Sequence, residues 1–231
     1  MIYRFSLVLL TMLLFIFAGC ATVQKPLEGL RPDASVESLM TPLTLSVRSG
    51  EKSLGARGYL VYKQPDRFHL VILSPFGLTL AEIFSEGDRI VCLIPSRNIA
   101  YSGRVAELPD AGGLRSWGMM RWVVERPPLP PVANGSVQRL TGDGRRETVY
   151  FDALGLVTRK VTMDGDEVCY EGYQAIDSVP FPASIKMTGS DGSVVKIEFD
   201  EPEVNKPVED ELLKPRLDDV QVLPFSEFKG F

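Results

Sequence analysis

Gln64-Pro65-Asp66-Arg67-Phe68-His69-Leu70-Val71-Ile72-Leu73-Ser74-Pro75-Phe76-Gly77-Leu78-Thr79-Leu80-Ala81-Glu82-Ile83 is the stretch that decides the fold. A turn at Gln64-Pro65-Asp66 opens an apolar run, Pro75-Phe76-Gly77 interrupts it, and a second run follows at once. Runs of this length bounded by Pro and Gly read as strands, and so short a link joins them antiparallel. Pro75 fixes φ at the first corner of a tight turn and Gly77 suits its exit. Phe76, between them, is pushed outward, at a place where polar residues are usual.

The same punctuation recurs on both sides. Strands are expected at 43–49, 54–63, 67–74, 78–85 and 89–95, with turns at Ser49-Gly50 and Glu86-Gly87-Asp88. After residue 131 they resume at 136–141, 145–152, 156–163, 167–174, 182–189 and 193–200. Gly142-Asp143-Gly144, Asp164-Gly165-Asp166 and Asp191-Gly192 supply the turn chemistry there. Ser35–Met40 is expected to form a short helix stopped near Pro42. Between the two sets, Leu114, Trp117, Met120, Trp122 and Val123 recur at near-helical spacing, and Pro127, Pro128, Pro130 and Pro131 end any helix. The fold class is therefore mainly β with α: a curled antiparallel sheet of about eleven strands, too large to stay flat, forming an incomplete barrel lidded by short helices.

A curled sheet needs something on its concave face. Several strands are apolar on both faces, as in Leu70-Val71-Ile72-Leu73 and Ile90-Val91-Cys92-Leu93-Ile94, so the space is either a filled core or a pocket. If it is a pocket, its wall is expected to include Leu60, Tyr62, Leu70, Ile72, Leu80, Ile90 and Leu93, with Trp117 and Met120 from the lid.

The chain begins with Arg4, an apolar stretch Phe5–Ala18, then Gly19-Cys20. That stretch is shorter than the roughly 20 residues a bilayer span takes, and it suits a secretory h-region. It resembles the bacterial lipoprotein export signal. The resemblance implies removal of residues 1–19, lipid on Cys20, and, with Ala21 following, sorting to the periplasmic face of the outer membrane. Residues 20–35, polar with Pro and Gly, read as a tether; residues 36–205 read as the domain and 206–231 as a C-terminal extension. That extension carries Leu212, Leu213, Leu223, Phe225, Phe228 and Phe231, which suit a rim cover, a partner dock or a loose end.

Composition narrows the function further. The 231 residues carry a formal net charge of −5, which argues against nucleic acid and against electrostatic capture by anionic headgroups. With Cys20 acylated, Cys92 and Cys169 are left either to pair or to stay as separately buried thiols. The one histidine, His69, reads as a half-exposed strand residue. Asp164, Asp166 and Glu167 cluster on a turn, where solvation accounts for them. No nucleophile elbow, phosphate loop or metal-ligand spacing occurs. No enzyme, cofactor or metal is expected.

The 64–83 stretch resembles the LolA/LolB superfamily of lipoprotein carriers, and LolB most closely. That family shows a PDRF-like turn, a strand to an Asn/Ser-Pro-Leu-Gly tip, and a following strand with a Glu. Gly58-Tyr59-Leu60-Val61-Tyr62, Leu114-Arg115-Ser116-Trp117 and the Pro-Phe-Pro-Ala-Ser-Ile-Lys-Met run at 180–187 add to the likeness. It implies a half-barrel whose cavity takes the acyl chains of another lipoprotein, with Phe76 standing where the family's exposed Leu passes cargo into the membrane. The implied partners are the bilayer, lipoprotein acyl chains and a soluble LolA-like carrier, with the protein itself a monomer. The alternatives are an envelope interaction lipoprotein with a filled core, or a carrier of another lipid.

Overall fold

The computed structural model describes residues 27, 29–109, 120–125, 132–141, 144 and 146–229. In chain order the strands are β1 (Ser38–Ser49), β2 (Lys52–Lys63), β3 (Arg67–Leu73), β4 (Thr79–Glu86), β5 (Arg89–Ile94), β6 (Ile99–Arg104), β7 (Ser136–Leu140) and β8 (Arg146–Phe151). They continue as β9 (Val157–Thr162), β10 (Glu167–Glu171), β11 (Gln174–Ile176), β12 (Val179–Phe181), β13 (Ser184–Thr188), β14 (Val194–Phe199), β15 (Glu203–Val204) and β16 (Gln221–Pro224). One sheet holds fourteen of them in the order β16-β6-β5-β4-β3-β2-β1-β14-β13-β10-β9-β8-β7, with β15 beside β1; β11 and β12 form a separate hairpin. The path has two ends, so the sheet is not closed into a barrel.

Alternation builds the interior. Leu39 faces Tyr62, Thr41 faces Leu60, Leu70 faces Ile83 and Cys92 faces Tyr101 across neighbouring strands. On the other half Val168 and Ile185 alternate inward from β10 and β13 with Ile197 from β14. Side chains from β6 to β8, nearly the whole width of the sheet, join one continuous apolar cluster. A sheet this wide brings its two sides into one core only by curling around it. Gly58, halfway along β2, allows a tight approach: a Cβ there would collide with the Val71 carbonyl oxygen.

Three expectations change. Residues 35–40 are not helical; β1 starts at Ser38, where Leu39 is fully buried and pairs with Tyr62 and Val204. Pro42 does not stop it. Pro42 lies where the neighbour on that side changes from β15 to β14, and no ladder bond needs its missing N–H. The strand count among the described residues is sixteen rather than about eleven, because β6, the hairpin β11–β12, β15 and β16 lack the turn-bounded apolar runs used to find the others. Finally, of the expected lid at 110–131, residues 110–119 and 126–131 lie outside the described residues, and residues 120–123 make one 3-10 turn tucked into the interior.

The C-terminal segment crosses the outer face. Val208 and Leu213 pack on Val61, Lys63 bridges to Asp210 at 2.7 Å, and the Asn98 side chain donates to the Asp219 carbonyl at 2.6 Å. The chain then adds β16 in parallel beside β6. Beyond it, Phe225 and Phe228 turn into the core against Tyr101, at ring distances of 6.4 and 5.1 Å.

Candidate functional site

Register sorts the half-barrel into two ends. The turn between β1 and β2, the Ser74–Leu78 turn, the turn between β13 and β14, and the outer ends of β7, β8 and β9 share one end, the mouth. The start of β1, the β11–β12 hairpin and residues 29–37 share the other, the floor. Arg31 donates its N–H to the Ser178 carbonyl at 3.0 Å there.

The mouth contains an apolar pocket of about 230 Å³. Leu45 and Val47 of β1, Leu54 and Ala56 of β2, Ile72 of β3 and Leu80 of β4 line it. Small residues at Gly55 and Ala56 leave this space, because they stand opposite Leu45 and its neighbours with little side chain to fill the gap. Beside it, the Ser74–Gly77 turn closes through Gly77 N–H to the Ser74 carbonyl at 2.9 Å, and the Ser74 hydroxyl accepts the Leu78 N–H at 3.1 Å. Gly77 has φ of 78°, which suits glycine. The turn leaves Phe76 91% and Leu78 70% exposed.

The inner wall at β7, β8 and β9 is built on opposite chemistry. Lys160 projects inward from β9, 1% exposed, with its ammonium 2.7 Å from Glu125 and 5.6 Å from the Tyr170 ring centre. Arg139 bridges Glu125 at 2.8 Å and the fully buried Glu147 at 2.5 Å. Tyr170 donates its hydroxyl to the Trp122 carbonyl at 2.8 Å, fixing the 120–125 turn against the wall. Burial pulls Lys160 below the usual lysine range, and Glu125 opposes that pull. Burial also pushes the Tyr170 hydroxyl well up. A small pocket of about 60 Å³ adjoins these groups.

The expected wall residues are distributed unevenly. Ile72 and Leu80 border the mouth pocket. Leu60, Tyr62, Leu70, Ile90 and Met120 lie lower, in the packed core, each 5% exposed or less. Burial, helped by Asp66, raises the Tyr62 hydroxyl to about 12. Leu93 is on the other face of β5, because Ile90, Cys92 and Ile94 take the inward parity. Trp117 and Cys20 lie outside the described residues. Leu45, Val47, Leu54 and Ala56 were not singled out by sequence, although the alternation of Leu43, Leu45 and Val47 against a Gly-Ala pair was a usable signal. The ionic cluster was also missed; Glu147 shares its parity with Val149 and Phe151, which marks it as inward.

The remaining candidates are structural. Cys92 and Cys169 are free thiols, the first buried and the second half-buried, and burial raises Cys92 to about 12. His69 is less exposed than expected: its Nε2 lies 2.9 Å from Glu82 and its ring stacks on Phe84 at 4.0 Å. Glu167 pairs with Arg159 at 2.7 Å, and Asp166 accepts the Ser190 N–H at 3.0 Å. Among the described residues, no group of three or more His, Cys, Asp or Glu side chains is placed to hold a metal, and no helix is long and apolar enough to cross a membrane.

A large, curled β-sheet that is not closed into a barrel is a LolA-like fold. A profile of the family described as outer membrane lipoprotein LolB matches residues 41–201, and the chain belongs to that family. Its carriers are non-enzymatic. No curated protein matches the chain. Among solved structures, a DUF1329 family protein from Desulfovibrio piger superimposes with a TM-score of 0.58 at 11% identity, covering 78% of this chain and 90% of that one. A putative outer membrane lipoprotein-sorting protein domain from Vibrio parahaemolyticus gives 0.58 at 10% identity, over 78% and 90%. A LolA superfamily protein from Nitrosomonas europaea gives 0.52 at 12% identity, over 82% and 94%. At such identities the likeness shows the fold alone.

Proposed function

We propose that this protein is a lipid-anchored acceptor of lipoproteins at the periplasmic face of the outer membrane. Cys20 carries the anchor, the mouth pocket receives acyl chain from the cargo, and Phe76 enters the bilayer to pass that chain on. The observation that carries the reading is the apolar pocket of about 230 Å³ opening beside a turn that holds Phe76 and Leu78 in water. An apolar cavity of about 150 Å³ already binds a benzene ring, so this one takes part of an acyl chain, and its open side lets the chain leave again. Aromatic and aliphatic side chains of this kind rest in the interfacial layer without any charge. A soluble LolA-like carrier is the proposed donor, and the acceptor works as a monomer.

The tether enters the domain at the floor, opposite the mouth. The chain from Cys20 to Gly29 reaches about 30 Å when fully extended. β1 runs about 40 Å, but strands tilted by about 40° cover only about 30 Å along the barrel axis, so an extended tether lets the mouth face the anchoring membrane.

A fluorescent fatty-acid probe tests the pocket: binding that a diacyl lipopeptide displaces is the expected result, and no displaceable binding overturns the reading. Phe76→Glu should abolish transfer of a lipoprotein into vesicles while leaving the unfolding midpoint unchanged. The packed lower interior, with Leu60 fully buried, favours the second reading, an envelope interaction lipoprotein, which failure of probe binding would support.

A further inference from the structure

At the mouth end, on the side of the sheet remote from Phe76, three outward-facing residues stand in a row. Leu140 of β7 pairs with Arg146 of β8, and the Arg146 carbonyl accepts the N–H of Met163, just past β9, at 3.1 Å. Leu140 is 68% and Met163 73% exposed. The exposed Arg146 side chain between them makes no hydrogen bond or ion pair within the described residues. Among the described acids on these strands and turns, Glu147 faces inward onto Arg139, and Asp164 already has a partner. Single exposed apolar residues are ordinary on protein surfaces. Two of them flanking an unpaired arginine, side by side on neighbouring strands near a sheet edge, form a patch with a defined chemistry.

We infer that Leu140, Arg146 and Met163 form a second membrane contact, docked on a phospholipid surface. Leu140 and Met163 enter the interfacial layer, and the Arg146 guanidinium, its stem lying along them, meets a lipid phosphate through paired N–H donors. The overall negative charge of the chain excludes capture by bulk electrostatics, so a single well-placed cation between apolar side chains is the arrangement that suits a phosphate-covered surface. Six strand spacings separate β3 from β9 in the sheet order, about 29 Å along the curved sheet. That is too far for one patch with Phe76. Two contacts on opposite sides of the opening hold the mouth against the bilayer, where one would leave it free to roll. Only this statement about the mouth rests on the proposed delivery function; the contact itself does not.

The test uses the full chain reconstituted in phosphatidylcholine vesicles, with and without added phosphatidylglycerol, carrying brominated acyl chains. Met163→Trp, Phe76→Trp and, at the floor end, Leu154→Trp report contact as quenching beyond that of the native tryptophans. The expected result is quenching at 163 and 76 but not at 154. Adding Arg146→Gln should weaken the contact at 163 about fivefold in vesicles containing phosphatidylglycerol. Quenching at 76 with none at 163 overturns the second contact and leaves the tip reading standing. Quenching at 163 with none at 76 supports the second contact and removes the tip. An emission shift at 163 that follows protein concentration at fixed lipid assigns the row to a second copy of this chain and also overturns the inference.

Discussion

On the inner wall at β7, β8 and β9, Lys160 and Glu147 are closed off from water and paired with the half-buried Glu125 and Arg139; on the rim between β3 and β4, Phe76, Leu78 and Leu80 stand in water with little to pack on. Both regions belong to one sheet. A soluble domain governed by stability alone would reverse the arrangement, since buried charges cost several kcal/mol each to desolvate and exposed apolar side chains forgo burial energy. The inversion separates two tasks. The ionic cluster fixes the turn at residues 120–125 in one place through directional pairs, whereas the rim at Phe76 keeps apolar surface exposed.

The largest expected effect breaks the ionic cluster. Lys160→Met removes one of the two cations that neutralise Glu125 and leaves the surrounding acids short of a partner. Losing one member of a buried ionic set destabilises by roughly 3–5 kcal/mol, which urea unfolding would detect as a lower midpoint at an unchanged m-value. A midpoint within error of the wild type would mean that water reaches the Lys160 ammonium. Next comes a matched pair of truncations. Leu60→Ala, in the packed core, should cost about 2–5 kcal/mol; Leu80→Ala, at the rim of the pocket, should cost less than about 1 kcal/mol. Equal costs would mean that the pocket collapses around Leu80 as a core does.

How much of this contrast was legible beforehand depended on the side chains involved. The Ser74–Leu78 turn declared itself through Pro75 and Gly77, because turn chemistry is local and acts whatever surrounds it. The mouth pocket did not. It depends on Ala56 standing opposite Leu45 and Gly55 opposite Ser46, a relation set by the register between two strands. Leu93 illustrates the same limit: in a run apolar at every position nothing local says which parity faces inward, and Cys92 took the place. The ionic cluster was hidden for another reason. Glu125 belongs to a segment distant in sequence from Lys160 and Arg139, and no residue near any of the three advertises the pairing.

The alkaline limb of the stability curve sharpens the comparison more gently. Burial raises Cys92 from 9.0 to about 12, so the folded protein keeps a neutral thiol where the unfolded chain loses its proton. A group with a raised acid pKa contributes stability that is intact below its unfolded value and lost as pH rises toward the folded one. Stability should therefore fall between pH 9 and pH 12, and Cys92→Ala should make that fall shallower. An unchanged slope would mean that water reaches the thiol from the mouth. Alkylation gives an independent reading: Cys169, half-buried on β10, should react before Cys92.

The smallest effect on stability carries the most functional information. Ala56 lines the mouth pocket from β2, opposite Leu45. Ala56→Phe places a ring into about 230 Å³ of open apolar space rather than into a packed core, so the cost of overpacking does not arise. The unfolding free energy should change by less than about 0.5 kcal/mol. If the pocket is where acyl chain binds, the fatty-acid probe should lose its displaceable binding, because the ring occupies the volume the chain would fill. Transfer into vesicles should fall with it, even though Phe76 and the Leu140–Met163 row are untouched. A variant that folds normally, excludes the probe and still delivers lipoprotein would separate cargo handling from the mouth pocket and place it on another surface of the half-barrel. Retained probe binding would instead put the acyl site lower, among Leu60, Leu70 and Ile90, and require the packed interior to open. Near-zero cost in stability combined with loss of both binding and transfer is the outcome that only an open, functional mouth produces.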